Sequence, residues 1–207
     1  AADKRGPAPV PAAPPPQVEQ APPKPAFSGL YIGATVGHAT GTIRDGDGFS
    51  FPREGYSVGG LVGYNHRLPG MPALVLGAEA DLAVTDVSGS SNPGGGFTVS
   101  GSSRYLGGAR VRLGMPVDQV MLYVTAGPSV TNGRVGVTGI GAGDKASIYG
   151  LSAGGGIEAF VFQNVGVRLE GLHTRWNDTS FNVDGLETGK LHASETAVRA
   201  GLIVRLN

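Results

Sequence analysis

The stretch Phe27-Ser28-Gly29-Leu30-Tyr31-Ile32-Gly33-Ala34-Thr35-Val36-Gly37 decides the fold of this 207-residue chain. Apolar side chains occupy every second position from Leu30 to Val36, and Tyr, Gly and Thr fill the positions between them. Successive side chains of a β-strand point to opposite faces, so a period of two predicts a strand with one apolar face.

The same alternation recurs seven more times toward the C-terminus. The recurring runs lie near residues 55–68, 73–87, 101–115, 120–137, 147–162, 165–176 and 194–206. Three connections, at 69–72, 116–119 and 163–164, are short and contain residues typical of tight turns. The other connections, near 43–54, 88–100, 138–146 and 177–193, are longer and rich in Gly, Ser, Asp and Asn.

An even number of strands, with short turns at one end and long loops at the other, is the layout of bacterial outer-membrane barrels. The sequence therefore predicts an all-β fold, an eight-stranded antiparallel up-and-down transmembrane β-barrel over residues 27–207. Strands that cross a membrane need only about 9–11 residues each, so a chain without a long apolar run can still be a membrane protein.

Residues 1–26 differ in composition from the rest of the chain and contain nine of its 15 prolines. Proline fixes φ and lacks a backbone donor, so we expect a disordered, extended spacer here. The opening Ala1-Ala2-Asp3 is what we expect after cleavage of a signal peptide at a small-residue site. The chain has no cysteine and a formal net charge of 0, which excludes a disulfide framework and gives no argument for a nucleic-acid partner.

The charged residues of the strands fall on the face opposite to the apolar one. A charge on the lipid face of a barrel costs about 2–4 kcal/mol at the bilayer midplane. Turning the whole set outward would cost tens of kcal/mol, more than a typical folding free energy. In a membrane barrel we therefore expect a luminal charge network of Glu79, Asp81, Arg104, Arg110, Arg112, Glu158, Arg168, Glu170, Arg199 and Arg205.

Alternation alone does not distinguish inside from outside, and a soluble lipocalin-like barrel would reverse the two faces. The strand lengths, the unequal connections and the tyrosines near strand ends favour the membrane barrel. Tyrosines are enriched at membrane–water interfaces. The expected interfacial aromatics are Tyr56, Tyr64, Tyr105 and Tyr149.

The first strand resembles that of the porin-family outer-membrane β-barrels of alphaproteobacteria, often called outer-membrane immunogenic proteins. That family begins with an Ala-Ala-Asp-like terminus, a proline-rich lead and an aromatic-x-Gly-aromatic-Tyr-apolar-Gly strand. The glycine-rich segment 59–64 and the closing strand 196–202 are also similar to it. Members usually end on an aromatic residue that the barrel-assembly machinery recognises, whereas this sequence ends Arg205-Leu206-Asn207. The resemblance implies an outer-membrane location in a Gram-negative bacterium, a role in envelope integrity and surface-exposed, antigenic loops.

The charged lumen allows two interpretations. An eight-stranded barrel is only wide enough for side chains to fill it, which favours a salt-bridged plug. The alternative is a charged path, in which case the protein is a small porin that conducts ions or small solutes.

No residue pattern in the chain indicates catalysis or a bound metal. Small eight-stranded lipid A deacylases use a His and a Ser two residues apart, but here Arg175 follows His173 at that spacing and cannot act as a nucleophile. The four histidines lack metal-ligand spacing. We therefore predict no enzyme activity, no metal and no cofactor, with haem binding through His38 or His192 as an alternative.

Three hypotheses for function follow. The first is a structural barrel with a plugged lumen that supports envelope integrity and surface interaction. The second is a small porin, and the third is a binding module whose loops hold haem or another surface partner. The expected partners are outer-membrane lipid and lipopolysaccharide, the barrel-assembly machinery and envelope or surface proteins. We expect the N-terminal tail in the periplasm and the long loops outside the cell.

Overall fold

The computed structural model describes residues 27–44, 50–86, 88–91, 98–138, 143–179, 182–183, 186–187 and 191–206. The spacer expected at residues 1–26 lies outside the described residues. No helix in these ranges is long and apolar enough to cross a membrane.

The described ranges contain eleven strands. In chain order they are β1 (Gly29–Arg44), β2 (Ser50–Arg67), β3 (Val75–Thr85), β4 (Ser88–Ser91), β5 (Thr98–Val117), β6 (Val120–Thr138), β7 (Gly143–Phe160), β8 (Val165–Thr179), β9 (Asn182–Val183), β10 (Leu186–Glu187) and β11 (Leu191–Leu206).

Eight of these strands are long and form a closed antiparallel barrel. Their order is β1-β11-β8-β7-β6-β5-β3-β2, and β2 pairs with β1 to close the ring. Short β4 follows β3 and joins the same two neighbours, β2 and β5, while β9 and β10 pair only with each other. The predicted eight-stranded barrel is therefore confirmed.

The strand registers define how steeply the strands cross the barrel wall. A row of paired residues that leaves β2 at Glu54 passes through every long strand and returns to β2 at Tyr64. The return lies ten residues further along, so the shear number is 10. Eight strands with this shear tilt by about 40° from the barrel axis and leave an interior that side chains can fill.

The two ends of the barrel differ. At one end, here called the turn end, the connections are residues 68–74, 118–119 and 161–164, and Asp118 accommodates the two-residue turn with a φ of 54°. At the other end, the loop end, β1 and β2 pair as far as Arg44 and Ser50, and β6 and β7 pair as far as Gly136 and Gly143.

The strands extend further toward the loop end than the sequence predicts. Much of 43–54, 88–100, 138–146 and 177–193 was expected to be loop, but large parts of these segments lie in strands. The expectation was wrong because Gly, Ser and Asp were taken as loop signals. Antiparallel neighbours continue to exchange backbone hydrogen bonds there, whatever the composition.

Inward and outward positions alternate along the long strands, except at an irregularity in β5 between Ser103 and Leu106. Strand β3 shows the pattern without interruption: its odd-numbered residues are buried and its even-numbered residues are exposed. The outward set is apolar along the middle of the barrel and includes exposed Leu82, Val124 and Leu202. The inward set contains the charged residues, so the core of this protein is polar at its centre.

Two inward glycines make room for two inward tyrosines. A methyl group at Gly63 would overlap the ring of Tyr31, and one at Gly156 would overlap the hydroxyl end of Tyr123. Both tyrosines are buried, at 3 % and 5 % exposure. Because Gly63 and Gly156 carry no side chain, the two rings can lie directly against the backbone of the neighbouring strand.

Gly63→Ala is expected to lower the thermal unfolding temperature of the refolded barrel, because Tyr31 would have to leave its position. Overpacking of this kind costs about 1–3 kcal/mol. Gly171→Ala is the matched control, since nothing lies within 4 Å of a methyl group there. Equal unfolding temperatures for the two variants would contradict the close packing of Tyr31 against Gly63.

Candidate functional site: the charged lumen

Eight charged side chains meet in the lumen, each at most 8 % exposed. Four are acidic and four are basic, so their formal charges cancel. They come from five strands of the barrel and are named the luminal cluster: Glu79, Asp81, Arg110, Arg112, Glu158, Arg168, Glu170 and Arg199.

Glu79 is the most connected acid of the luminal cluster. Its Oε1 accepts a hydrogen bond from Arg110 at 3.1 Å, and its Oε2 accepts one from Arg168 at 2.7 Å. The hydroxyl of Tyr31 donates to the same Oε2 at 2.8 Å. Three donors from three other strands thus converge on one carboxylate, which compensates for its removal from water.

Asp81 forms the second centre, two residues further along β3. Arg110 lies 2.7 Å from its Oδ1 through Nη1, and Arg199 donates to its Oδ2 at 2.9 Å. Glu170 lies 3.9 Å from Arg110 and 3.7 Å from Arg199, and it accepts a hydrogen bond from Tyr123 at 2.9 Å. Arg110 therefore connects the two acids of β3 with the acid of β8.

Arg112 is held by both charge and aromatic contacts. It donates to Glu158 at 3.1 Å and to the Tyr31 hydroxyl at 2.9 Å. Its guanidinium carbon lies 4.0 Å from the centre of the Tyr123 ring, within the range of a cation–π interaction. Arg168 donates to the same oxygen of Glu158 at 3.2 Å, so one carboxylate joins two guanidinium groups.

Tyr31 and Tyr123 also belong to the network, although they were not among the residues expected there. The alternation could have indicated this, because both tyrosines occupy positions that face the lumen, as the charged residues do. Each hydroxyl donates to a carboxylate, so the two rings supply polar contacts as well as bulk.

Two of the ten residues expected in the network lie outside the luminal cluster. Arg104 is exposed, and it lies within an irregularity in which two residues of β5, Arg104 and Tyr105, face one residue of β6, between the pairs Ser103–Gly133 and Leu106–Thr131. Such a bulge shifts the alternation by one residue, so simple counting from Arg110 fails there. Arg205 lies at the turn end, where it donates to the carbonyl of Gln163 at 2.9 Å and lies 5.0 Å from the Phe160 ring centre.

An apolar layer lies next to the luminal cluster on the turn-end side. Phe27, Val75, Met121 and Phe160 are buried there, together with Tyr123. Phe27 precedes β1 and contacts Phe160 with ring centres 5.0 Å apart. The first described residue of the chain is thus inserted into the lumen, and the sequence pattern did not predict this.

A layer of hydroxyl groups lies on the loop-end side of the luminal cluster. The hydroxyl of Ser152 lies 2.6 Å from that of Ser129 and 2.7 Å from that of Thr174. The three hydroxyl residues line a small recess of about 20 Å³, which also borders Asp81, Arg110 and Arg199 of the luminal cluster. The lumen therefore has an apolar, a charged and a hydroxyl layer from the turn end to the loop end.

The four expected interfacial tyrosines lie on the outer face of the barrel with exposures between 49 % and 68 %. By strand register, Tyr56, Tyr105 and Tyr149 lie toward the loop end and Tyr64 toward the turn end. Phe162, in the turn after β7, is exposed at 71 % and was not among the expected aromatics.

The three histidines with described side chains, His38, His66 and His173, lie on the outer face of the barrel. His38 lies on the outer face against Tyr56, with ring centres 4.8 Å apart, and His173 contacts the Thr196 hydroxyl at 2.9 Å. The side chain of His192 lies outside the described residues. Within the part of the chain that the structure describes, no group of three His, Asp or Glu residues could hold a metal ion.

The three layers and the apolar outer face define the class of protein, an eight-stranded outer-membrane β-barrel. The chain belongs to the outer membrane protein beta-barrel domain family, whose sequence model matches residues 10–201. The protein is therefore an outer-membrane protein of a Gram-negative envelope.

Relatives with assigned names support this membership. The chain is 33 % identical to a 22 kDa outer membrane protein of Rhizobium leguminosarum bv. viciae, over 90 % of this chain and 82 % of the relative. It is 23 % identical to a 25 kDa outer-membrane immunogenic protein of Brucella canis, over 89 % and 86 % of the two chains. The resemblance to the immunogenic outer-membrane proteins is confirmed.

Solved structures support the fold. The crystal structure of Neisserial surface protein A matches with a TM-score of 0.56 at 18 % sequence identity, over 86 % of this chain and 98 % of that protein. At this identity the match concerns the barrel architecture alone.

Arg110→Ala is expected to destabilise the barrel by about 3–5 kcal/mol, because it leaves Glu79 and Asp81 short of a buried partner. Urea unfolding in lipid vesicles, followed by tryptophan fluorescence, measures the change. Arg104→Ala removes an exposed arginine of the same strand and is expected to stay within about 0.5 kcal/mol of the parent. Similar losses for both variants would count against the luminal cluster.

Proposed function

We propose that this protein is a structural, non-conducting barrel of the outer membrane that contributes to envelope integrity. The observation that carries the proposal is that each of the four acids and four arginines of the luminal cluster lies within 3.7 Å of an opposite charge of the same cluster. The Nε atoms of the four arginines have no hydrogen-bond partner among the described residues, so their hydrogen bonds to the acids come from the terminal nitrogens. Because each charge already has a protein partner, an ion entering the lumen would have to break these pairs.

The apolar layer supports the same proposal. An ion that passed the luminal cluster would next meet Phe27, Met121 and Phe160, which offer no polar partner. An unpaired ion in apolar surroundings is strongly disfavoured. The lumen is therefore closed by two layers of different chemistry, and a small porin would need both of them to move.

We propose a non-enzymatic role. His173, the candidate base, lies on the outer face of β8 and contacts the hydroxyl of Thr196. The position two residues later carries Arg175, which supplies no nucleophile. The names of the relatives in Rhizobium and Brucella describe outer-membrane proteins and are consistent with a structural role.

For orientation, we propose that the turn end faces the periplasm and the loop end the cell exterior. Short periplasmic turns and longer extracellular segments are the usual arrangement of such barrels. Phe27 lies at the turn end of the lumen, so residues 1–26 would leave the barrel on the periplasmic side.

The refolded full-length protein is expected to give no reproducible single-channel steps in a planar bilayer. Folding is verified separately by the heat-dependent shift in electrophoretic mobility. Phe27→Ala is also expected to stay silent, because the luminal cluster remains in place. Stable steps in the parent protein would overturn the structural proposal and favour the small porin.

Residues 1–26 are expected to resist trypsin added to intact cells, although they contain Lys4, Arg5 and Lys24. An epitope placed ahead of Ala1 should be lost only after the outer membrane is permeabilised. Loss of the epitope from intact cells would reverse the proposed orientation without affecting the proposal on conductance.

A further inference from the structure

The apolar band on the outer face of the barrel is shorter along the barrel axis on one side. On β7 the outward positions are apolar or glycine from Tyr149 to Ala159, a height of roughly 25 Å along the axis at the strand tilt given above. On neighbouring β8 they are apolar or glycine only from Val165 to Gly171, roughly 15 Å by the same geometry.

On three adjacent strands, β8, β11 and β1, polar side chains occupy outward positions near the loop end where β7 carries apolar ones. Arg175 of β8 pairs in register with Leu151 of β7, so a guanidinium lies beside a residue of the apolar face. The polar positions continue across β11 and β1. This loop-end patch consists of His38, Thr40, His173, Arg175, Ser194 and Thr196.

The loop-end patch is not explained by a tilt of the barrel in the membrane. A tilt that exposed this side at the loop end would require its apolar face to extend further at the turn end. The apolar face of the three strands instead ends near Leu30, Val165 and Leu206, at the same turn-end level as its neighbours. This side of the barrel is therefore matched to a thinner apolar layer, or to a polar group that enters it.

The charged or titratable side chains of the patch are Arg175, His38 and His173. The outward acid that borders it is Glu54 of β2, in register with Thr40. Between Leu30 and Thr42, Val165 and Asn177, and Ser194 and Leu206, no outward position of β1, β8 or β11 is acidic. Arg175 is exposed and makes no ion pair with any residue in the described ranges. Its guanidinium is therefore open at the outer face to an anionic group.

We propose that the loop-end patch binds the phosphorylated sugar headgroup of a glycolipid in the surrounding leaflet. Arginine forms paired hydrogen bonds with phosphate oxygens. The hydroxyls of Thr40, Ser194 and Thr196 both donate and accept, as sugar hydroxyls require. The patch is open at the outer face of the barrel, which is the side from which a lipid headgroup would approach it.

A second copy of the chain fits the patch less well. Most homo-oligomers have two-fold symmetry, which would bring the same surface of both copies together. Arg175 and His173 would then face their own counterparts without an acid between them, and like charges in an interface are repulsive.

The inference rests on the proposed orientation, in which the loop end faces the exterior leaflet. Its test does not depend on that orientation, because lipid can reach every part of the outer face of a protein in detergent. If the barrel does not conduct and has the proposed orientation but does not bind the lipid, this inference is contradicted and the proposed function is not.

The experiment measures lipid binding to the refolded full-length protein in detergent by native mass spectrometry. The probes are bisphosphorylated lipid A, dephosphorylated lipid A and phosphatidylglycerol. We expect Arg175→Gln to weaken binding of bisphosphorylated lipid A about five-fold, the effect of one basic residue near an anionic surface. Arg175→Lys should bind with intermediate strength, because it keeps the charge but loses the planar fork.

Arg104→Gln is the matched control, since it removes an exposed loop-end arginine from β5, on another side of the barrel. It should bind bisphosphorylated lipid A as the parent does, and dephosphorylated lipid A should not distinguish any of the variants. Equal binding by Arg175→Gln and the parent would overturn the proposal. So would equal, Arg175-dependent binding of phosphatidylglycerol, or a parent dimer that Arg175→Gln dissociates.

Discussion

The charges inside a closed barrel can be neutralised only by one another, and this constraint governs the rest of the structure. Removing one partner of a buried pair costs about 3–5 kcal/mol, which is comparable to the net stability of a small domain. The luminal cluster meets the constraint with four acids and four arginines. The apolar outer face follows from it, because every strand that points a charge inward must point its alternate residues toward lipid.

The pairs of the luminal cluster also connect strands that are not neighbours in the barrel wall. Asp81 of β3 pairs with Arg199 of β11, and Glu79 of β3 pairs with Arg168 of β8. Backbone hydrogen bonds connect only adjacent strands. The ion pairs therefore add cross-links through the interior, and the glycines opposite Tyr31 and Tyr123 allow enough side chains to meet there.

Much of this arrangement could be predicted from the period of two, and the exceptions have identifiable causes. The eight strands and the alternation follow from residue type alone, since an even–odd pattern fixes the face of each side chain. Arg104 departs from the prediction because a bulge in β5 shifts that pattern, and a bulge leaves no clear sign in the sequence. The insertion of Phe27 was also missed, because it depends on space at the turn end that only the assembled barrel creates. The loop-end extensions were missed because pairing with a neighbour, rather than composition, keeps those segments in strands.

The inner and outer faces of the barrel differ in whether their charged side chains have a partner of opposite charge among the described residues. Inside, every acid of the luminal cluster has an arginine within 3.2 Å or, for Glu170, within 3.7 Å. Outside, Arg175 lies beside Leu151 with no described partner. A lone guanidinium at the edge of an apolar surface is costly unless the surroundings supply an anion. The acids of the lumen already have arginines beside them, whereas the Arg175 guanidinium has none of this compensation among the described residues. This difference is the physical basis for proposing a ligand at the outer face and not in the lumen.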